Sequence, residues 1–155
     1  MDDDETFRRL RDKAIGGRIT FVRLLCDMVL LYVDCEPGDG RGLTFWLNPS
    51  WNIVASEGVV ADSSQAQAEG DDGPTTEQLD LVSTAIVAKL HDRPITGVQV
   101  DRRSGELTLT VAGEFEIRAI ASDLECDHLW HLRDHATGST LYVSTAGWKV
   151  RHKKA

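Results

Sequence analysis

Apolar positions recur along this chain with two distinct periods. Phe7, Leu10 and Ala14 fall on one stripe of a helix expected over 4–14, whose acids Asp4 and Glu5 lie at its start and whose Arg11 and Lys13 lie near its end. Gly16 and Gly17 stop it. After Pro74, Thr75 and Gln78 have the spacing of a capping box, and Leu79, Val82, Ile86 and Leu90 recur at helical intervals, which predicts a second helix running to about Leu90. Behind each helix the pattern changes to strict alternation, the period of half-buried strands.

The two alternating stretches superpose on a shift of 76 residues. That shift places Leu10 on Ile86, Ala14 on Leu90, Ile19 on Ile95, Val22 on Val98, Leu24 on Val100, Leu31 on Leu107, Val33 on Leu109 and Cys35 on Val111. A shift of 72 then places Leu43, Phe45 and Leu47 on Phe115, Ile117 and Ala119, and a further reset sets Trp51 and Ile53 on Trp130 and Leu132. The expected fold is therefore α+β: two tandem units, each a helix, a three-stranded antiparallel meander and a fourth strand entered at a Trp, joined in one pseudo-symmetric domain. The first unit covers 1–55, a flexible acidic linker 56–74, and the second unit 75–155 with a closing hairpin over Ser139–Ser144 and Trp148–Arg151.

A length of 155 residues suits one domain with one core. The net charge of -8 is uneven, since every charge between Arg41 and Lys89 is acidic. That balance disfavours nucleic acid and suits either solubility or a basic protein partner. The acidic start lacks the basic and apolar parts of a secretory leader, and no apolar run has the length of a membrane span, so a cytoplasmic protein without membrane contact is expected. Three cysteines, Cys26, Cys35 and Cys126, with no C-x-x-C pair, read as reduced thiols.

Candidate chemistry is sparse. Cys126, Asp127, His128, His131, Asp134 and His135 form the densest cluster, but alternation through Trp130 and Leu132 puts His128 on the core side and His131 on the other, so a metal site is not expected. Gly38, Gly40 and Gly42 lack the Lys and Ser or Thr of a phosphate loop and precede a strand. No serine sits in a nucleophile elbow, and Cys126 lies between two acids that would raise its pKa. No catalytic residue and no cofactor is expected.

Gly17, Ile19, Val22, Leu31 and Trp51 give the chain a pattern that resembles small bacterial proteins, some of which look like immunity proteins, acidic inhibitors that neutralise a toxin by binding it. The resemblance implies a non-catalytic protein-binding module. A small-ligand domain with an aromatic-lined pocket between the units and an enzyme of another type are the alternatives. Alternation also places Phe21, Leu25, Leu30, Tyr32 and Trp46 on the back of the first sheet, where the second unit carries Gly97, Asp101, Glu106, Thr108 and Arg118. Such an apolar back requires a cover, supplied by the second unit or the last hairpin, or else by a homodimer or protein partner with Trp46 and Tyr32 as anchors.

Overall fold

The computed structural model describes residues 3–66, 75–121 and 128–152. Within them the chain is mixed α+β and mostly β, with two helices and eleven strands in two antiparallel sheets. Helix α1 (Asp3–Ala14) buries Thr6, Leu10 and Ala14, and helix α2 (Thr76–Leu90) buries Ile86 and Leu90. Thr75 caps α2, its hydroxyl accepting from Gln78 N while the Gln78 side chain accepts from Thr75 N, as the sequence spacing anticipates. Gly16 leaves α1 at a φ of 89°, a left-handed turn that a residue without Cβ adopts at little cost.

Strands β1 (Ile19–Leu25), β2 (Met28–Val33) and β3 (Leu43–Leu47) pair in order. The chain then leaves them: β4 (Trp51–Ala55) and β5 (Gly58–Asp62) belong to the other sheet, where β6 (Ile95–Val100), β7 (Leu107–Val111) and β8 (Phe115–Ala119) form a second meander and β4 pairs with β8. After β8 the chain crosses back, and β9 (Trp130–Asp134) pairs with β3, followed by β10 (Thr140–Ser144) and β11 (Gly147–Arg151). The six-stranded sheet therefore has the order β1-β2-β3-β9-β10-β11 and the five-stranded sheet β5-β4-β8-β7-β6. The sheets enclose one core, with Phe45, Leu47 and Trp130 from the first and Trp51, Ile53 and Ile117 from the second all fully buried. Helix α1 touches β11 and β6, and α2 touches β1 and β5, so each helix closes one open side of the sandwich.

Bonds in the two halves come in matching pairs. Gly16 N donates to Ile95 O and Asp92 N to Ile19 O; Ile19 N donates to Arg93 O and Ile95 N to Gly17 O, around a bridge between Arg18 and Pro94. Trp51 Nε1 donates to Asp27 O in the β1–β2 turn at 2.8 Å, and Trp130 Nε1 to Gly105 O in the β6–β7 turn at 2.9 Å. Register differs from the expectation in one place. Val22 faces Leu31 and Val98 faces Leu109, so the counterpart of Leu31 is Leu109, not Leu107, and that of Tyr32 is Thr110. The stretch between the paired Leu24 and Val29 is two residues shorter than that between the paired Val100 and Leu107, and a continuous shift carries that difference into the next strand as a slip.

The expected linker also requires correction. Gly58–Asp62 is a strand paired with β4, and Ser63–Ala66 forms a short 3-10 turn whose buried Ser63 hydroxyl accepts from Trp51 N. Residues 67–74 of that segment lie outside the described residues. Among the described residues no helix is long and apolar enough to cross a membrane.

Candidate binding face

The register of the six-stranded sheet fixes which side chains point away from the core. Because Leu31, Phe45, Leu132 and Leu141 face inward, their neighbours Leu30, Trp46, His131, Tyr142 and Lys149 line up on the outer side, each directly opposite the next across five strands. A second row runs Phe21, Tyr32, Thr44, Arg133, Thr140 and Arg151. None of the outward-facing strand residues is acidic, in a chain whose net charge is -8. Local excess of cations over acids marks this face apart from the molecule as a whole.

The five residues expected on this back are all there, with different roles. Phe21 and Leu25 are 38% and 36% exposed, and Trp46 is half-buried. Leu30 and Tyr32 are buried by their neighbours within the sheet, Tyr32 by an edge-on contact with Phe21 at 5.6 Å, so they form the floor of the face and Tyr32 is no anchor. They make a small cluster with Cys35 and Trp46, separate from the main core. The expected internal cover is not found among the described residues. The β10–β11 hairpin extends the sheet sideways, and the second sheet packs against the opposite side.

Trp46 is fixed from several directions. Its Nε1 lies 3.1 Å from Met28 Sδ and donates to Asn48 Oδ1 at 3.2 Å, while Asn48 Nδ2 donates to His128 O. Its ring stacks on His131 at 5.2 Å and 22°, and His131 continues to Tyr142 at 5.2 Å. His128 closes the group, with Nε2 3.0 Å from His131 Nδ1 and its ring edge-on to Tyr142. The expectation that His128 and His131 lie on opposite sides is thus overturned: β9 begins at Trp130, so strand alternation does not reach back to His128. Burial, then His128 and Arg133, holds His131 down to a pKa of about 4, so it is neutral at pH 7.

Next to this group lies a cavity of about 510 Å³ between His128, Tyr142, Ser144, Trp148, Lys149 and Arg151. Arg151 sits 5.3 Å over the Tyr142 ring. This cavity is on the outer face; the space between the sheets is filled by Trp51, Trp130 and their neighbours.

The remaining candidates do not converge. His135 Nε2 pairs with Thr44 Oγ1 at 2.6 Å, and buried Asp134 holds Arg9 and Lys13 at 3.0 and 2.8 Å, tying α1 to β9. Burial pushes the Asp134 carboxyl up, but the bonds from Lys13 and Arg9 outweigh it and leave the pKa lowered. Cys35 is buried, which raises its thiol pKa, and Cys26 is exposed in the β1–β2 turn. Cys126 and Asp127 lie outside the described residues, among which no group of His, Cys, Asp and Glu is placed to hold a metal ion. Sequence reasoning missed His131, Tyr142, Arg133, Lys149 and Arg151 as parts of one face. The signal was the outward slot beside Trp130 and between Leu141 and Val143, but only the β3–β9 pairing joins it to Trp46.

Compared with protein-family models, curated proteins and solved structures, the chain has no match in any of the three.

Proposed function

We propose that the chain is a non-catalytic protein-binding module that acts through the outer face of its six-stranded sheet, an inhibitor of the immunity kind that works by covering its partner. The observation that carries this reading is the continuous aromatic and apolar surface from Phe21 and Leu25 through Trp46 to Tyr142, uncovered among the described residues. Trp and Tyr with Arg beside them are the side chains that contribute most at protein interfaces. The partner is a different protein. Two copies stacked face to face would set Arg133, Lys149 and Arg151 either against each other or against Arg23 and the apolar Phe21 and Leu25 beside it. This also reverses the expected sign of the partner at the interface itself, where an acidic surface is the complement.

The same proposal takes the chain as two copies of one helix-and-strand unit, each supplying the fourth strand of the other's sheet. It is supported by the paired bonds around Arg18 and Pro94 and by the two indole bonds to hairpin turns. One copy's outer face then became the binding surface while the other stayed polar.

Photo-crosslinking tests the face. Benzoylphenylalanine placed at position 46, in cells that produce the chain, is expected to give a covalent adduct with one discrete protein. The same group at position 118, the matching place on the five-stranded sheet, is expected to give none. No adduct at position 46, or equal adducts at both, overturns the reading.

A further inference from the structure

The cavity at the β10–β11 end of the face has walls of one chemical character. Tyr142 supplies ring surface, Ser144 and His128 supply polar edges, and Lys149 and Arg151 supply two exposed cations. Among the described residues no acidic one lines it. Some of the chain's other cations find acids: Arg9 and Lys13 pair with Asp134, Arg18 with Asp92 and Arg118 with Glu116. Among the described residues neither Lys149 nor Arg151 has such a pair, although acids outnumber bases in the sequence by 25 to 17. The guanidinium of Arg151 is held over the Tyr142 ring, which leaves its N–H edges available to an oxyanion.

We infer that this cavity is a carboxylate socket, receiving acidic side chains of the protein partner while neighbouring apolar side chains of that partner settle on Trp46. The inference rests on the binding face proposed above and names the chemistry of what docks there. A protein fits better than a nucleic acid on two grounds. Three of the face's cations, Arg133, Lys149 and Arg151, gather at the β9–β11 end, whereas on β1 and β2 Arg23 stands alone among Phe21, Leu25 and Met28, an apolar surface that phosphates and sugars do not complement. A net charge of -8 also opposes a uniform polyanion over the rest of the molecule.

The full chain, labelled with ¹⁵N, is titrated with a capped glutamate 20-mer at low salt, with a thymidine 20-mer and inorganic phosphate in parallel. The glutamate chain is expected to shift the amides of residues 142–151 and to leave those of 108–118 in place. K149E/R151E, and separately K149Q/R151Q, are expected to weaken binding tenfold or more at an unchanged melting temperature, both side chains being exposed. Tighter binding of the thymidine chain or of phosphate, or undiminished binding by both double variants, overturns the socket. Crosslinking at position 46 separates the two proposals. An adduct that persists in K149E/R151E while the glutamate chain fails to bind the unaltered protein rejects the socket and keeps the face. Glutamate binding with no adduct at position 46 keeps the socket and rejects the face. Loss of the adduct in K149E/R151E supports both.

Discussion

Where β3 presents Trp46 on its outer side, the matching strand β8 presents Arg118; where β2 presents Tyr32, β7 presents Thr110; where β1 presents Phe21, β6 presents Gly97. The two sheets share a pairing pattern and a common interior, yet one outer face is aromatic without acids and the other is polar, with Glu116 and Arg118 bonded to each other. A sheet with a sealed inner face folds with either exterior, because its register is fixed by the buried side chains. The difference between the exteriors is therefore not required by the fold. It is best accounted for by what each face meets.

If the interiors are equivalent while the exteriors differ, the largest effects will be shared by the two sheets. Trp51→Ala and Trp130→Ala each remove a fully buried indole and its bond to a hairpin turn. Each is expected to cost about 3 to 5 kcal/mol in urea unfolding, the range for deleting a buried aromatic. Costs that differ by more than about 2 kcal/mol would break the equivalence of the interiors.

Acid should act on one sheet alone. His131 is held down to a pKa of about 4 in the folded chain, against an ordinary value of 6.5. Above pH 6.5 both states carry it neutral and stability is full. As pH falls toward 4 the unfolded chain takes up a proton that folded His131 refuses, so stability declines, and below about 4 this loss levels off. The total is at most about 3 kcal/mol. Asp134, with its lowered carboxyl pKa, adds its own loss only below the ordinary value of 3.8, so the windows separate. Burial also lowers the pKa of His135, which adds to the upper window. Melting temperatures of His131→Asn across pH 4 to 7 should lose much of the upper window and keep the lower; an unchanged profile would show that His131 is not the group responsible.

Most of the elements were legible in the sequence, and their arrangement was not. The capping box at Thr75 and Gln78, the alternation of β6 and β7, and the closing hairpin are local signals, and each appears where the spacing places it. Strand order is a long-range property. Nothing local to Trp51 or Trp130 says that each strand pairs in the sheet it does not follow, and for that reason Tyr142, Lys149 and Arg151 could not be joined to Trp46. The linker reading failed at Gly58–Asp62 because a five-residue strand with Val59 61% exposed and Gly58 at its start carries too weak an alternation to register.

Trp46→Arg gives the first face the side chain of the second. Trp46 is half-buried, stacked on His131 and bonded to Asn48, so a cost of about 1 to 2 kcal/mol is expected, well below that of a core Trp. Partner binding should fall far more than stability does. A cost as large as that of Trp130→Ala would place Trp46 in the core and remove the ground for calling this face an interface.

The smallest expected effect comes from the reverse exchange, Arg118→Trp. Arg118 lies on the outer side of β8 with Glu116 as its partner, and an exposed pair of this kind contributes about 0 to 1 kcal/mol. Its cross-strand neighbours Thr108 and Asn52 are small and polar, so an indole there gains no stacking partner comparable to His131. Stability should change by less than about 1 kcal/mol, read by thermal melting. Crosslinking from position 46 should be unaffected, because the substitution is on the opposite side of the sandwich. The informative reading is whether Arg118→Trp acquires binding of its own toward the protein captured at position 46. It is expected to acquire none, since a single aromatic without the floor of Leu30 and Tyr32 and without Lys149 and Arg151 reproduces neither the apolar nor the cationic half of the first face. If one Trp were enough to confer binding on the five-stranded sheet, the contrast between the faces would reduce to a single side chain, and the part assigned to the cavity beside Tyr142 would fall with it.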